Sequence, residues 1–421
     1  MPLKAPGQAQ QEGEGAQGEQ ARPWEGQRAF KVYINSCLLS LNSTSLGFHL
    51  GPLCSTAVCV ADDAYVHSDS PSGLQGALDI LSHYAKRYQL KFNADKTKIV
   101  VTGSKQDMAF YKETTPWKLD GQRVPVVDAN DHLGLVVAGL DEEQRNVDKN
   151  ISKCRASLFK LLGPAFAFKC LLSPVLQLHL LQTCCLPVLL SGLPALPVRP
   201  AHTKSLQLFH NKVMRGFLKL SKSSPIPALH FLLGELPAEA VLHIRTLSLL
   251  HNISSNQSYT VNAVVKYILM MCKENSVTWS NHTQLLCKKY GLPSPLSLLK
   301  STTPVSKLSW STLVKTNVTV WHEHHLRRES ENNSKMLYLN VDLAGLSGRP
   351  HPVLHNILTT QDAKKARLHL KFLTCDYMTN EKLAKDNPTR SPACDLCPCP
   401  APLDSIEHIL VTCRATAEVR A

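Results

Sequence analysis

Residues 57–63 read Ala57-Val58-Cys59-Val60-Ala61-Asp62-Asp63. A short apolar run ends in two adjacent carboxylates, after which the chain turns polar and loop-like from His67 to Gly73. Such a run, bounded by turn residues, predicts a strand from Ser55 to Ala61 with Asp62 and Asp63 at its tip. Neighbouring carboxylates repel unless a divalent cation lies between them. Oxygen pairs of this kind suit Mg²⁺, and nucleotidyl transfer by two metals needs such a platform. Asp is also common in plain surface turns, so the flanking pattern has to decide.

Working outward, Phe30 to Leu41 is helix-like. Leu74, Leu78, Leu81 and Ala85 recur at helical spacing and predict an amphipathic helix ending near Gln89. Leu90-Lys91-Phe92 and Lys98 to Thr102 read as short strands around an Asn93–Lys96 turn. A hairpin is expected from Trp117-Lys118-Leu119, through Asp120-Gly121, to Val124–Val127. Together these predict a small α+β unit. Beyond Asp141 the chain turns helical, with helices expected over Asn146–Leu162, Ser173–Leu190 and Thr203–Leu220. In the last of these Leu206, Phe209, Val213 and Phe217 form the expected apolar stripe. Lys204, His210, Lys212, Arg215 and Lys219 are the polar remainder. Residues 1–29, rich in Gln, Gly, Glu and Ala, cannot bury a core and are expected to be disordered.

The chain has 421 residues, enough for several domains. Its net charge of +13 favours an acidic partner, nucleic acid ahead of a membrane surface. The most apolar run, Cys170 to Val198, is broken by Gln177, His179, Gln182 and prolines, so no membrane span is expected. The N-terminus has no apolar signal core. The fourteen cysteines, scattered through apolar segments, are therefore read as reduced thiols of an intracellular protein, nuclear or cytoplasmic.

Val60-Ala61-Asp62-Asp63 resembles the aromatic-Ala-Asp-Asp box of reverse transcriptases, with Val in the aromatic position. Val32-Tyr33-Ile34-Asn35 is similar to the segment preceding that box in non-long-terminal-repeat (LINE-type) retrotransposon polymerases. Leu90 to Lys98 resembles their next palm motif, and His132-Leu133-Gly134 the turn of their primer-grip hairpin. Leu186 to Leu190 and His210 to Arg215 are similar to the helical region that follows. The order of these pieces matches that of the family, from about residue 30 to the C-terminus.

The resemblance implies an α+β chain. Residues 30–140 would be a partial palm, 141–260 a thumb-like helical region, 261–385 a helical C-terminal region and 386–421 a zinc-knuckle-like module. It implies RNA-directed DNA polymerase chemistry on RNA and DNA. Asp62 would ligate Mg²⁺ on the incoming triphosphate and Asp63 would support it. Lys96 or Lys98 would stand near the leaving pyrophosphate as charge stabiliser or proton donor. The family's site needs a further Asp on an upstream strand, and no Asp precedes Asp62 here. The expectation is a truncated, catalytically impaired polymerase, with a partner supplying the missing palm and fingers. The alternative is a non-catalytic nucleic-acid-binding protein with basic helices and a zinc module.

Cys394-x2-Cys397-x10-His408-x4-Cys413 has the composition and spacing of a structural Zn²⁺ site. The CxxC turn places two thiolates together, and His408 and Cys413 would close the tetrahedron from a following helix. Cys399 is close enough to substitute for a ligand. The cluster resembles the Cys-Cys-His-Cys module at the C-terminus of the same polymerases. Arg414, Arg420, Lys364, Lys365 and Arg367 are expected to leave room for phosphate contacts.

Overall fold

The computed structural model describes residues 3–4, 23–61, 63–93, 95–114, 116–167, 172–256, 258–273, 276–300, 305–346, 348–355, 357, 359–397 and 403–420. The fold is α+β, about 60% helix against 9% strand, so helices supply most of the buried surface. Among the described residues the strands pair two by two and form no larger sheet. Contacts divide the chain into two compact units, residues 1–146 with 256–273, and residues 147–255 with 274–421.

In the first unit, β1 (Leu3–Lys4) lies antiparallel to β6 (Lys91–Phe92). Helix α1 (Pro23–Asn42) begins ahead of Phe30, so it and β1 both place regular structure within residues 1–29, against the expectation of disorder there. Its Ile34, Cys37 and Leu41, three and four apart, share a core with Ala77, Leu78, Leu81 and Ala85 of α2 (Pro71–Arg87). Ser70 caps α2, its Oγ accepting from the Gly73 N–H at 3.1 Å, and Pro71 fits the first turn.

Between these helices β2 (Phe48–Leu50) pairs with β3 (Leu53–Ser55), and β4 (Ala57–Val60) with β5 (Asp63–Val66), both antiparallel. This corrects the expectation of one strand from Ser55 to Ala61 followed by a loop: the chain folds straight back as a second strand. The Asn42 carboxamide holds the start of β4. Its Oδ1 accepts from the Thr56 and Ala57 N–H groups at 2.8 and 3.1 Å, and its Nδ2 donates to the Ala57 carbonyl at 3.0 Å. The side chain thereby does what a neighbouring strand would do.

After the 93–98 turn, β7 (Ile99–Val100) leads to α3 (Lys105–Thr114) and the hairpin β8 (Lys118–Leu119) and β9 (Gln122–Arg123). Asp120 and Gly121 both have positive φ, 50° and 79°, as a two-residue hairpin turn demands. The expected return strand splits: β10 (Val126–Val127) leaves the hairpin and pairs parallel with β7. A last hairpin, β11 (Ala129–His132) and β12 (Leu135–Ala138), turns at Leu133 and Gly134.

Helix α4 (Glu142–Ala167) runs on into the helical unit. The helix expected over 173–190 is broken in kind, into α5 (Pro174–Leu180), a π turn at Leu181–Cys185 and α6 (Leu186–Leu189). Pro187 has no N–H for the Thr183 carbonyl, and widening the turn accommodates that loss. Then come α7 (Pro200–Leu218), α8 (Ile226–Leu233) and α9 (Ala238–Ser254), with α10 (Tyr259–Met270) counting in the first unit. Helices α11 (Trp279–Lys289), α12 (Pro295–Lys300), α13 (Lys307–Glu331), α14 (Thr360–Leu373), α15 (Asn380–Asp386) and α16 (Ala417–Arg420) complete it.

Trp310, Val314 and Val318 of α13 pack with Leu247 and Leu250 of α9 and Leu286 of α11. Beside them the Tyr290 hydroxyl joins His243 Nδ1 at 2.6 Å and His322 Nε2 at 3.0 Å. The stripe expected on α7 is rotated: His210 and Asn211 are buried with Leu206, Met214 and Phe217, whereas Leu208 is exposed. Among the described residues no helix is long and apolar enough to cross a membrane.

Candidate functional site

The four C-terminal ligand candidates converge. The Sγ atoms of Cys394, Cys397 and Cys413 and a ring nitrogen of His408 all lie within 4.8 Å of one another. A tetrahedral zinc with bonds near 2.3 Å places its ligands about 3.8 Å apart, so little adjustment separates this arrangement from a filled site. All four residues are buried, and the three cysteines form an apolar cluster of their own.

Local backbone explains the convergence. The 394–397 turn aims the Leu396 and Cys397 amides at the Cys394 sulfur. The turn after Cys413 aims the Ala415 and Thr416 amides at the Cys413 sulfur. Such donors stabilise thiolates, the form that binds metal. Burial works against ionisation at both sulfurs. It leaves the Cys394 thiol raised, whereas at Cys413 the Ala415 amide and the Cys397 thiol prevail and hold it below its ordinary value.

His408 and Cys413 are five residues apart, about 140° around an α-helix. The chain solves this with a π turn, His408–Thr412, closed by the Cys413 N–H donating to the His408 carbonyl at 2.7 Å. That wider turn brings both ligands to one side, a detail that the expectation of a plain helix missed. The ring is oriented too: Nε2 lies 3.4 Å from Cys397 Sγ and Nδ1 lies 3.0 Å from Thr412 Oγ1. With a metal bound, Nε2 would be the ligating atom, leaving Nδ1–H to donate to Thr412 Oγ1.

Asn380 ties the cluster to α15, its Nδ2 donating to the Ala393 carbonyl at 3.0 Å and to Asp395 Oδ2 at 2.8 Å. The donor set and its closed geometry fit Zn²⁺, which Cys394, Cys397, His408 and Cys413 would hold. Cys399 lies outside the described residues.

In the first unit, Asp63 opens β5 opposite Val60. Ala61 is left-handed, φ 56°, a conformation costing a non-glycine residue about 1 kcal/mol and typical of functional turns. Asp62 lies outside the described residues, so the geometry of the carboxylate pair does not enter. Among the described residues the C-terminal cluster is the one group of three or more Cys, His, Asp or Glu side chains able to share an ion.

Behind Asp63 a cavity of about 420 Å³ opens, walled by Tyr65 and His67 of the β5 segment, His132 of β11 and the turn bearing Lys96 and Lys98. Its floor includes Leu74 and Leu78 of α2. The Tyr65 ring lies between His67 and His132, at centroid distances of 5.6 and 5.3 Å. Burial lowers the affinity of His67 for a proton. It does the same at His132, where Asp63 opposes it. Burial, and then Glu142, raises the Tyr65 hydroxyl. The rings at 65 and 67 escaped sequence reasoning because the chain after Asp63 read as loop; Ala64, Tyr65, Val66 and His67 do alternate with period two.

No family model and no curated protein matches the chain.

Proposed function

We propose that the chain derives from the C-terminal part of a LINE-type retrotransposon reverse transcriptase. In this reading it comprises a palm remnant, thumb-like helices and a zinc knuckle. The observation that carries the reading is the convergence on one cavity. The strand entered through the Ala-Asp-Asp box, the 90–98 segment and the 132–134 turn are far apart in sequence, and each resembles a polymerase motif. In the first unit Ala64 to His67 of that strand, Lys96 to Lys98 of the second segment and His132 of the third line the same 420 Å³ space. Asp62 and Asp63 would then be carboxylates for Mg²⁺, and Lys96 or Lys98 the cation near the leaving pyrophosphate.

Two-metal chemistry needs a further carboxylate, and the sequence has no Asp before Asp62. The 421-residue polypeptide is therefore proposed to bind RNA and DNA without polymerising by itself. Extension would require a partner supplying the rest of a palm and the fingers. The second reading, a dedicated nucleic-acid-binding protein, draws on the Cys394, Cys397, His408 and Cys413 cluster and the +13 charge. An intracellular setting, nuclear or cytoplasmic, goes with either. Primer extension and strand binding, measured in parallel on one preparation, test both.

A further inference from the structure

The cavity behind Asp63 has a composition that nucleic-acid tracking does not require. Its volume, about 420 Å³, lies within the range of small-molecule sites. The floor is aliphatic, from Leu74, Leu78, Ile99 and Val137. One wall is a row of three rings, His67, Tyr65 and His132. Lys96 and Lys98 stand on the turn that forms another part of the lining, exposed and not ion-paired with any described carboxylate. His67 Nδ1 is buried and has no hydrogen-bond partner among the described residues. A buried ring nitrogen left unpaired is costly, and an incoming polar group removes that cost.

We propose that this cavity is a binding site for a planar aromatic anion. The ring would lie against Tyr65 over the aliphatic floor, where flat faces stack and apolar area is removed from water. The anionic group would sit at Lys96 and Lys98. His67 Nδ1 would meet a polar substituent of the ring. Both a free aromatic acid and a nucleotide carry this chemistry. The inference does not rest on polymerase descent, since it uses only the lining of the cavity.

The test uses the full chain, labelled at histidine, and 2-naphthoate as probe. Saturable shifts of the His67 and His132 ring resonances are expected, with the remaining histidines unmoved. Lys96→Ala with Lys98→Ala should weaken 2-naphthoate binding by about tenfold, roughly 1.4 kcal/mol. Binding of neutral 2-naphthylmethanol should stay the same. Tyr65→Ala should weaken both probes, and Tyr65→Leu, which keeps the apolar bulk, tests the stacking if the alanine variant fails to fold.

Displacement of 2-naphthoate by adenosine monophosphate would support the site with a nucleotide as its source. Failure of the nucleotide to displace it, with the histidine shifts intact, would support the site with an aromatic acid as its source. Absence of saturable shifts at His67 and His132 would overturn the proposal. So would 2-naphthoate binding indifferent to both the Tyr65 and the lysine variants. Strand binding by the same preparations is read separately, so loss of one leaves the other standing.

Discussion

Cys397 Sγ lies 3.4 Å from His408 Nε2, although 11 residues separate them in the chain. The contact joins a tight CxxC turn to a π turn, and neither has an apolar core beneath it beyond the three cysteines themselves. A metal is the natural source of cohesion for such a segment. One zinc per chain is expected by elemental analysis of protein prepared without chelator. Cys397→Ser should lower zinc affinity and open residues 374–420 to protease while the first unit stays protected. If the variant retains zinc as tightly as the parent, the double variant lacking Cys397 and Cys399 decides. Full retention there would eliminate the assigned ligand set.

His210 of α7 is fully buried, and neither ring nitrogen has a hydrogen-bond partner among the described residues. Removing a buried orphan polar group in favour of an apolar one of similar size can stabilise. His210→Leu is expected to raise the unfolding free energy by about 1 kcal/mol or more. A clear loss of stability in urea titration would show that the imidazole makes a bond that it lacks here.

Acid should destabilise the helical unit. Burial first, with nearby cationic or ionisable side chains behind it, lowers His210 to about 3 and His322 to about 3. Burial also lowers His230 to about 4, although the Glu235 carbonyl opposes it. Below the ordinary value of 6.5 the unfolded chain takes up protons that these rings refuse, so stability falls with pH down to about 4. Burial raises Glu235 to about 7 despite its bond from Gln182, and this works in the opposite sense: its contribution is present in acid and lost as pH rises through 7.

Burial lowers His243, His282 and His351 of the same unit as well, so the histidines outweigh the one glutamate and stability falls between about pH 6 and 5, by about 1.4 kcal/mol per pH unit for each net proton. Urea midpoints at pH 7 and pH 5 measure it. The Cys397→Ser variant, lacking a metal ligand, should show the same slope, which separates the effect from zinc release. A midpoint unchanged or higher at pH 5 would refute it.

How far the sequence carried these features depends on what breaks a pattern. Period-3.6 spacing made α2 legible, and Asp120-Gly121 announced its hairpin. Strand β5 was not legible because a turn with Ala in the left-handed region carries no composition signal. The polar run after His67 then outweighed the alternation of Ala64 to His67. The α7 face was misjudged because His210 and Asn211 are polar by type, yet the packing buries them. The four residues of the C-terminal Cys/His cluster were legible from their spacing. The π turn that unites His408 and Cys413 was not, since hydrophobic periodicity does not report the width of one helical turn.

The basic chain should bind single-stranded and duplex nucleic acid with strong salt dependence. The log–log slope counts the phosphates neutralised, roughly 0.7–0.9 for each. Arg367→Ala with Lys364→Ala should reduce that slope by one or two contacts. A slope near zero between low and moderate salt would remove electrostatics as the basis of binding.

The proposed function is descent from a polymerase whose chemistry this polypeptide does not complete alone. Primer extension by the 421-residue protein on an RNA template with Mg²⁺, beside a binding assay on the same preparation, tests it most directly. The expected result is a bound primer–template without extension, unaltered by Asp63→Ala. Robust extension lost in Asp62→Ala and Asp63→Ala variants would contradict it, as would failure to bind the primer–template at all.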